Sequence, residues 1–228
     1  VTPCNVYVYD NGSPTADRLK TKVFKHPVIT RHLRGNTNVG FPGGANTALG
    51  MGTAPLLLFI SDDIILHPGA LQSLLKTMED KSIGMCGLKL LFAPGTSNGP
   101  AGKVQHVGHA VDLRGQIVHP MLGWSASNPR CCISREVFSV TGATFVVRRD
   151  LFKRVGGFNS VYGRGYYEDV EAALNIRKLG AKIWVDCNAV ADHHVGATYM
   201  ERKETPDMEH NRAIFLARNK QHLQWTSW

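Results

Sequence analysis

The chain has 228 residues, a formal net charge of +8, and 43% hydrophobic against 19% charged residues. That is enough chain to bury a real core as one large domain or two tight halves, with the balance of an ordinary soluble globular protein. A membrane span is excluded, because the longest apolar run, Ala54 to Ile60, is strand length and falls far short of the roughly 18 to 20 residues a span needs. The positive charge suits a protein that meets anions, among them a nucleotide diphosphate, a phospholipid-linked acceptor, a membrane surface or nucleic acid. Basic residues are scattered, with short clusters such as Arg148–Arg149 and Arg202–Lys203, and no base-stacking motif or zinc-finger spacing is present, so no nucleic-acid partner is expected. Nothing reads as a signal peptide. Cys4, Cys86, Cys131, Cys132 and Cys187 are odd in number and lack a CxxC, which argues against a disulfide framework and for a reducing cytoplasm.

In chain order, Asn5–Tyr9 reads as a strand closing on the turn Asp10-Asn11-Gly12-Ser13-Pro14. A short helix is expected over Thr15–Lys22, a strand over Val28–Leu33, a loop over Asn36–Phe41 and a helix over Gly43–Met51. Leu56–Ile60 is a near-continuous apolar run, the pattern of a strand buried on both faces. Pro68–Glu79 carries Leu71, Leu74, Leu75 and Met78 on one helical stripe, and Ile83–Leu91 is a further strand. This alternation predicts an α/β fold with a mostly parallel sheet, with ligands outside the carboxyl ends of the strands, where Asp10 and Asp62–Asp63 fall. From 94 to 135 the chain turns rich in Gly, Pro, Ser and His, read as an irregular, site-covering insertion with short strands at Gln105–Val111 and Gln116–His119. A strand is then expected over Phe138–Arg148 and a helix over Arg149–Val155. A helix over Glu168–Leu179, a strand over Ala181–Val185 and a terminal helix over Asn211–Gln224 complete the chain.

The chemistry concentrates in four places. Ser61-Asp62-Asp63 sets two adjacent carboxylates where a buried strand meets a loop, costly unless a cation or solvent neutralises them. Hard oxygen ligands favour Mg²⁺ or Mn²⁺. Helix capping explains the pair poorly, since Pro68 begins the next helix five residues on. Tyr166-Tyr167-Glu168-Asp169-Val170-Glu171 clusters three acids at a helix start, compatible either with a charged first turn or with catalysis, behind a glycine- and tyrosine-rich lead-in that suits a substrate-wrapping loop. His193–His194 beside Asp192 offer an imidazole that completes a metal site or is merely solvated, while His106, His109 and His119 show no metal-ligand spacing. The Asn36–Asn46 stretch lacks both the P-loop and the GxGxxG pattern, although its backbone amides near a helix start suit a phosphate or nucleoside edge.

Taken in order, these segments resemble family 2 glycosyltransferases of the GT-A fold, in particular the branch with rhamnosyl- and galactofuranosyl-transferases. VYDNGS is similar to the family's first nucleotide-binding turn, NTNVGFPGGANTALG to the segment beside the nucleotide, and FISDDIILHPGAL to its DxD region. VTGATFVVRRDLFKRVGGFN looks like the acceptor-side strand, YYEDVEAALNIRKLGAKI like the helix with the catalytic base, and ADHH like the late metal-site histidine. The resemblance implies an inverting, metal-dependent transfer from a nucleotide-diphosphate sugar to a carbohydrate or glycoconjugate acceptor. It further implies Asp169 as base, and Asp63 and His193 on Mn²⁺ or Mg²⁺. Asp10, Asn38, Gly40, Asn46 and Asp62 would lie at the donor, and Gly142, Ala143 and Glu168 on the acceptor side. Ser61 stands where the motif has its first acid. The family's opening strand and helix, which precede the DNGS turn, are expected to be missing, because only four residues precede Asn5. Residues 1–228 are expected to form one catalytic domain, with 1–93 the nucleotide half and 94–228 the acceptor half, in the cytoplasm with room for peripheral contact at the inner membrane surface. A sugar nucleotidyltransferase and a non-catalytic carbohydrate- or nucleotide-binding module are the rival readings.

Overall fold

The computed structural model describes residues 4–13, 24–96, 98–194 and 208–223. A seven-stranded sheet forms its centre. The axis is β5, Ile83–Phe92, whose ten residues are all buried, as befits a strand covered on both faces. The path through the sheet runs β3 (Leu56–Ile60), β10 (Thr144–Arg148), β5, β11 (Lys182–His193), β4 (Ile64–Leu66); β6 (Val104–His106) pairs with β5 and β9 (Arg135–Glu136) with β11. β1 (Val6–Asp10) and β2 (Ile29–Arg34) form a separate parallel pair, and β7 (Ala110–Val111) and β8 (Ile117–Val118) a small hairpin.

The α/β class holds, but the main sheet is mixed rather than mostly parallel. β11 runs parallel to β5, while β10 is antiparallel to both of its neighbours. The reason lies in the connection. A parallel return needs a crossover that carries the chain back to the starting end of the strand. The 94–143 excursion instead leaves the carboxyl end of β5 and returns to that same rim, so β10 starts opposite Ile60, the last residue of β3.

The described residues form five helices: α1 (Gly40–Leu49), α2 (Ala70–Thr77), α3 (Arg149–Arg154), α4 (Glu168–Lys178) and α5 (Met208–Asn219). Of the predicted stripe, Leu74 and Met78 are buried while Leu71 and Leu75 are half-buried; Ala70 joins the buried pair, and the three pack in one cluster with Leu88, Leu90, Ala189 and Ala191. On the other side α1, α3 and α4 close over Phe59, Phe145, Phe152 and Phe158, whose ring centroids lie 5.0 to 6.4 Å apart. The expected strand Phe138–Arg148 is regular only from Thr144, and the strand at Ala181–Val185 continues to His193 past a bulge held by buried Asp186, which accepts from Ser73 and Thr77 of the α2 segment. Helix Thr15–Lys22 and the Arg202–Lys203 cluster lie outside the described residues. The Arg148–Arg149 pair does not face an anion: Arg148 donates to the carbonyls of Met78, Asp80 and Ile83, and Arg149 to those of Leu49 and Ala54. The described cysteines are free thiols.

One long-range clamp orders this side of the molecule. The Asn46 side chain donates to the Phe158 carbonyl at 2.7 Å and accepts from the Phe158 amide at 2.9 Å, across 112 residues of sequence. Deleting it leaves two backbone groups of Phe158 unsatisfied beside the phenylalanine cluster. Asn46→Ala is therefore expected to cost about 2 kcal/mol in urea unfolding, with an unchanged denaturant slope.

Candidate active site

The first cluster forms where β4 meets β11. Ile64 pairs with His193, Ile65 with Asp192 and Leu66 with Ala191, and the His194 amide donates to the Asp63 carbonyl at 2.9 Å. This register sets Asp63 Oδ2 3.5 Å from His193 Nε2. The other ring nitrogen, Nδ1, lies 3.3 Å from Gln105 Oε1 on β6. A carbonyl oxygen only accepts, so Nδ1 carries the proton and Nε2 turns its lone pair toward the carboxylate. Two acceptors then face one another, and a cation, or a second proton on the ring, must lie between them. Asp63 Oδ1 is buried with no hydrogen-bond partner. This donor set of carboxylate oxygen and oriented imidazole fits Mn²⁺ or Mg²⁺. Asp62 is exposed beside it.

The second cluster is the start of α4. Asp169 Oδ2 accepts from the Gly142 amide at 2.7 Å, and its Oδ1 from Val170 at 2.8 Å. Burial pushes the Asp169 carboxyl up from the ordinary aspartate value, and these two amides pull against it. Glu168 is pushed well above the ordinary value, first by burial and then by the charge of Asp169. Its Oε2 has no partner. With the amides on its side, Asp169 takes the negative charge and Glu168 keeps the proton. Glu171, the third acid, is bound to Arg218, Asn159 and Asn219 and is structural. The two residues leading in, Tyr166 and Tyr167, both adopt left-handed backbone conformations, φ +73° and +74°. For bulky side chains this is strained, and it persists only where the surroundings over-determine it. Here Asn211 of α5 donates to the carbonyls of Tyr162 and Gly165, and Tyr167 packs on Phe215.

Between the two clusters runs the segment Thr141–Ala143, just before β10. Gly142 donates to Asp169, and the Ala143 carbonyl accepts from Ser61 at 2.9 Å, one residue from the acidic pair. A side chain on Gly142 would meet the Phe41 ring at 3.1 Å.

The donor-side residues divide. Asp10 is buried at the end of β1; its Oδ1 accepts from the Ser13 amide, while Oδ2 lies 3.4 Å from Arg34 Nε without a hydrogen bond. Asn38 is internal: its Oδ1 accepts from Asn11 and from the Gly40 amide, locking the β1 turn to the start of α1. Gly40, at φ +78°, has no room for a side chain, since a Cβ would sit 2.0 Å from the Gly163 carbonyl. Its role is this close approach to the α4 lead-in. Asn46 engages Phe158 through both its Nδ2 and its Oδ1, a structural contact of its own. Sequence reasoning missed Gln105, which nothing in the VQH triplet marks. A cleft of about 360 Å³ lined by Asn46, Gly157, Asn159, Glu171, Asn175 and Arg218 is not lined by Asp63, His193, Glu168 or Asp169.

A carboxyl whose folded pKa is raised favours folding at low pH and loses that contribution as pH rises through the folded value. Glu168→Gln is therefore expected to raise the urea midpoint at pH 8, with the gain over wild type closing as pH falls toward 4.5, measured in parallel melts.

Known proteins bear on this arrangement at two levels. The protein y4gI of Sinorhizobium fredii, described as uncharacterized, is 25% identical over 208 residues, 88% of this chain and 22% of that protein. The O-antigen biosynthesis protein RfbC of Myxococcus xanthus is 30% identical over 168 residues, 69% of this chain and 12% of that protein. The chain thus spans less than a quarter of the length of these curated relatives. Among solved structures, GalNAc-T7 with UDP, GalNAc and Mn²⁺ superposes with a TM-score of 0.64 at 13% identity, over 84% of this chain and 38% of that one. The mannosyltransferase PcManGT of Pyrobaculum calidifontis with GDP-Man and Mn²⁺ gives 0.61 at 15% identity, over 97% and 56%. S. aureus TarS 1–349 with UDP-GlcNAc gives 0.60 at 16%, over 97% and 59%. These likenesses establish the GT-A fold. Residues 2–156 match the Glycosyl transferase family 2 profile, which covers β1 through α3, and the chain belongs to that family.

Proposed function

We propose that this chain performs metal-dependent, inverting glycosyl transfer from a nucleotide-diphosphate sugar to an acceptor hydroxyl, in the assembly of a polysaccharide or other glycoconjugate. The observation that carries the reading is the placement of two unlike charged centres at the two ends of one short segment. Asp63 and His193 stand at one end, and Asp169 with its amide donors at the other. Asp63 and His193 would hold Mn²⁺ or Mg²⁺, which when bound neutralises charge on the departing nucleotide diphosphate. Asp10 Oδ2, buried and without a hydrogen bond, suits a ring N–H of the nucleotide base. Asp169, the anionic member of the acid pair, accepts the proton of the attacking hydroxyl. Its oxygens are held by the Gly142 and Val170 amides, so its approach is fixed by backbone. Glu168, Gly142 and Ala143 face the acceptor side of this base, and the 94–143 excursion begins and ends on the same rim. In this reading 1–93 serve the donor and 94–228 the acceptor.

The names of the relatives support the reading without fixing the substrate: two solved neighbours hold a uridine or guanosine nucleotide with Mn²⁺, and one curated relative acts in O-antigen synthesis. The net charge of +8 agrees with a phospholipid-linked acceptor at the inner membrane surface. No helix among the described residues is long and apolar enough to cross a membrane.

Asp169→Asn is expected to lower transfer by about 10²- to 10⁴-fold in a panel of UDP-, GDP- and dTDP-sugars, while Mn²⁺-dependent nucleotide binding measured by calorimetry is retained. Asp63→Asn should remove the metal-dependent part of binding. A chain that binds nucleotide but never cleaves any donor would be a binding module instead. Because burial raises the Asp169 carboxyl above 3.8, transfer should fall as pH drops through that raised value, giving an acid limb above the ordinary aspartate range. A rate that stays flat down to pH 4 contradicts the assignment.

A further inference from the structure

His106, His109 and His119 have no recognisable spacing in sequence, yet the excursion folds them against one another, with ligand-capable atoms all within 4.8 Å. Such a group invites a metal ion. The hydrogen-bond polarity points elsewhere, and it can be read from one atom. The Thr141 backbone amide lies 3.2 Å from His106 Nε2. An amide only donates, so this nitrogen must present a lone pair. In a neutral ring the proton is then on Nδ1, which lies 3.2 Å from His119 Nδ1. That second nitrogen accepts, so the His119 proton is on Nε2, 3.2 Å from His109 Nε2. The His109 proton is in turn on Nδ1, which meets Ser139 Oγ at 2.8 Å. One amide thus fixes three tautomers in series, and each ring's lone pair already has a donor.

All three rings are kept neutral. Burial holds His106 well below its ordinary value and His109 at about 4; His119, whose outer edge is exposed, is lowered in the same direction, and the neighbouring imidazoles add to the effect on His106 and His119. Neutrality is also what the geometry requires, since one added proton would set two N–H groups face to face at a junction. The chain is anchored at both ends in backbone: the His109 amide donates to the Ser139 carbonyl, the His109 carbonyl accepts from the Phe138 amide, and Thr141 is two residues beyond Ser139.

We infer that the three histidines are a positioning chain for the catalytic base. They hold the Val140–Thr141 peptide so that the next amide, Gly142 N–H, points at Asp169 Oδ2 at 2.7 Å. His106 makes the contact, while His119 and His109 lock its tautomer. The inference rests on the reading of Asp169 as the base, but its test does not depend on activity. The titratable groups facing Asp169 are Glu168, Tyr167 and His119.

The test is NMR on ¹⁵N-histidine, ¹³C-aspartate protein. The wild type should show His106 and His109 protonated on Nδ1, the less common tautomer of free imidazole, and His119 on Nε2. His106→Leu should move the Asp169 carboxyl titration upward by about one pH unit, because the amide that favours its anion is no longer held. His106→Gln, whose Oε1 can accept from Thr141, should restore most of it. Three Nε2-protonated rings, or an Asp169 titration unmoved by His106→Leu, would overturn the inference. So would Zn²⁺ added alone raising the melting temperature of wild type but not of His109→Ala, because it would show the lone pairs open to a metal. If His106→Leu does not fold, the wild-type tautomers alone decide.

Discussion

Three consecutive residues, Thr141 to Ala143, carry in their backbone the constraint on which the proposed chemistry depends. The Thr141 amide is taken by His106, the Gly142 amide by Asp169, and the Ala143 carbonyl by Ser61. Each partner comes from a different part of the chain: the excursion, the α4 start and the turn after β3. None of these partners holds the others directly. The segment can do this because it is the entry to β10, which sits between β3 and β5 and cannot slide without breaking two ladders. The backbone, rather than a flexible side chain, therefore sets how the acid of α4 stands relative to the acid that follows β3.

Two local costs are borne around that segment. A pair of adjacent acids lies at the start of α4, and its burial raises both pKa values. Two tyrosines hold left-handed conformations immediately before it, a strain of about 1–3 kcal/mol each. The fold offsets the first with amide donors that single out Asp169, and the second with Asn211 and the Tyr167–Phe215 contact. The same logic holds at the Asp63–His193 pair, where Gln105 fixes the ring's tautomer and leaves two acceptors facing each other. Directed hydrogen bonds thus order both clusters: amides single out one carboxylate at the start of α4, and Gln105 sets the ring orientation at the other.

How much of this could be read from sequence follows from the range of each interaction. Continuous apolar runs gave away β3 and β5, and the helical stripes α2 and α4, because those patterns are local. Asp63 and Asp169 were visible as carboxylates where elements begin or end. β4 was not, being three residues long, and with it the register that brings His193 to Asp63 was hidden. The mixed strand direction was hidden too, since nothing in the 94–135 composition says at which end of the sheet the chain re-enters. The Asn46–Phe158 clamp was hidden for a related reason: nothing in a glycine-rich stretch names a partner 112 residues away. The histidine chain joins residues separated by 10 to 35 positions without any period.

The account turns on a single base at Asp169 and an in-line displacement, and the anomeric configuration of the product reads this out directly. With whichever sugar nucleotide is turned over in the presence of Mn²⁺, proton NMR of the first-formed product gives the configuration of the transferred sugar before mutarotation. A product of opposite anomeric configuration to the donor is the predicted result. Retention of configuration, whether by two successive displacements or by attack on the face the nucleotide leaves, would contradict a single in-line displacement with Asp169 as base.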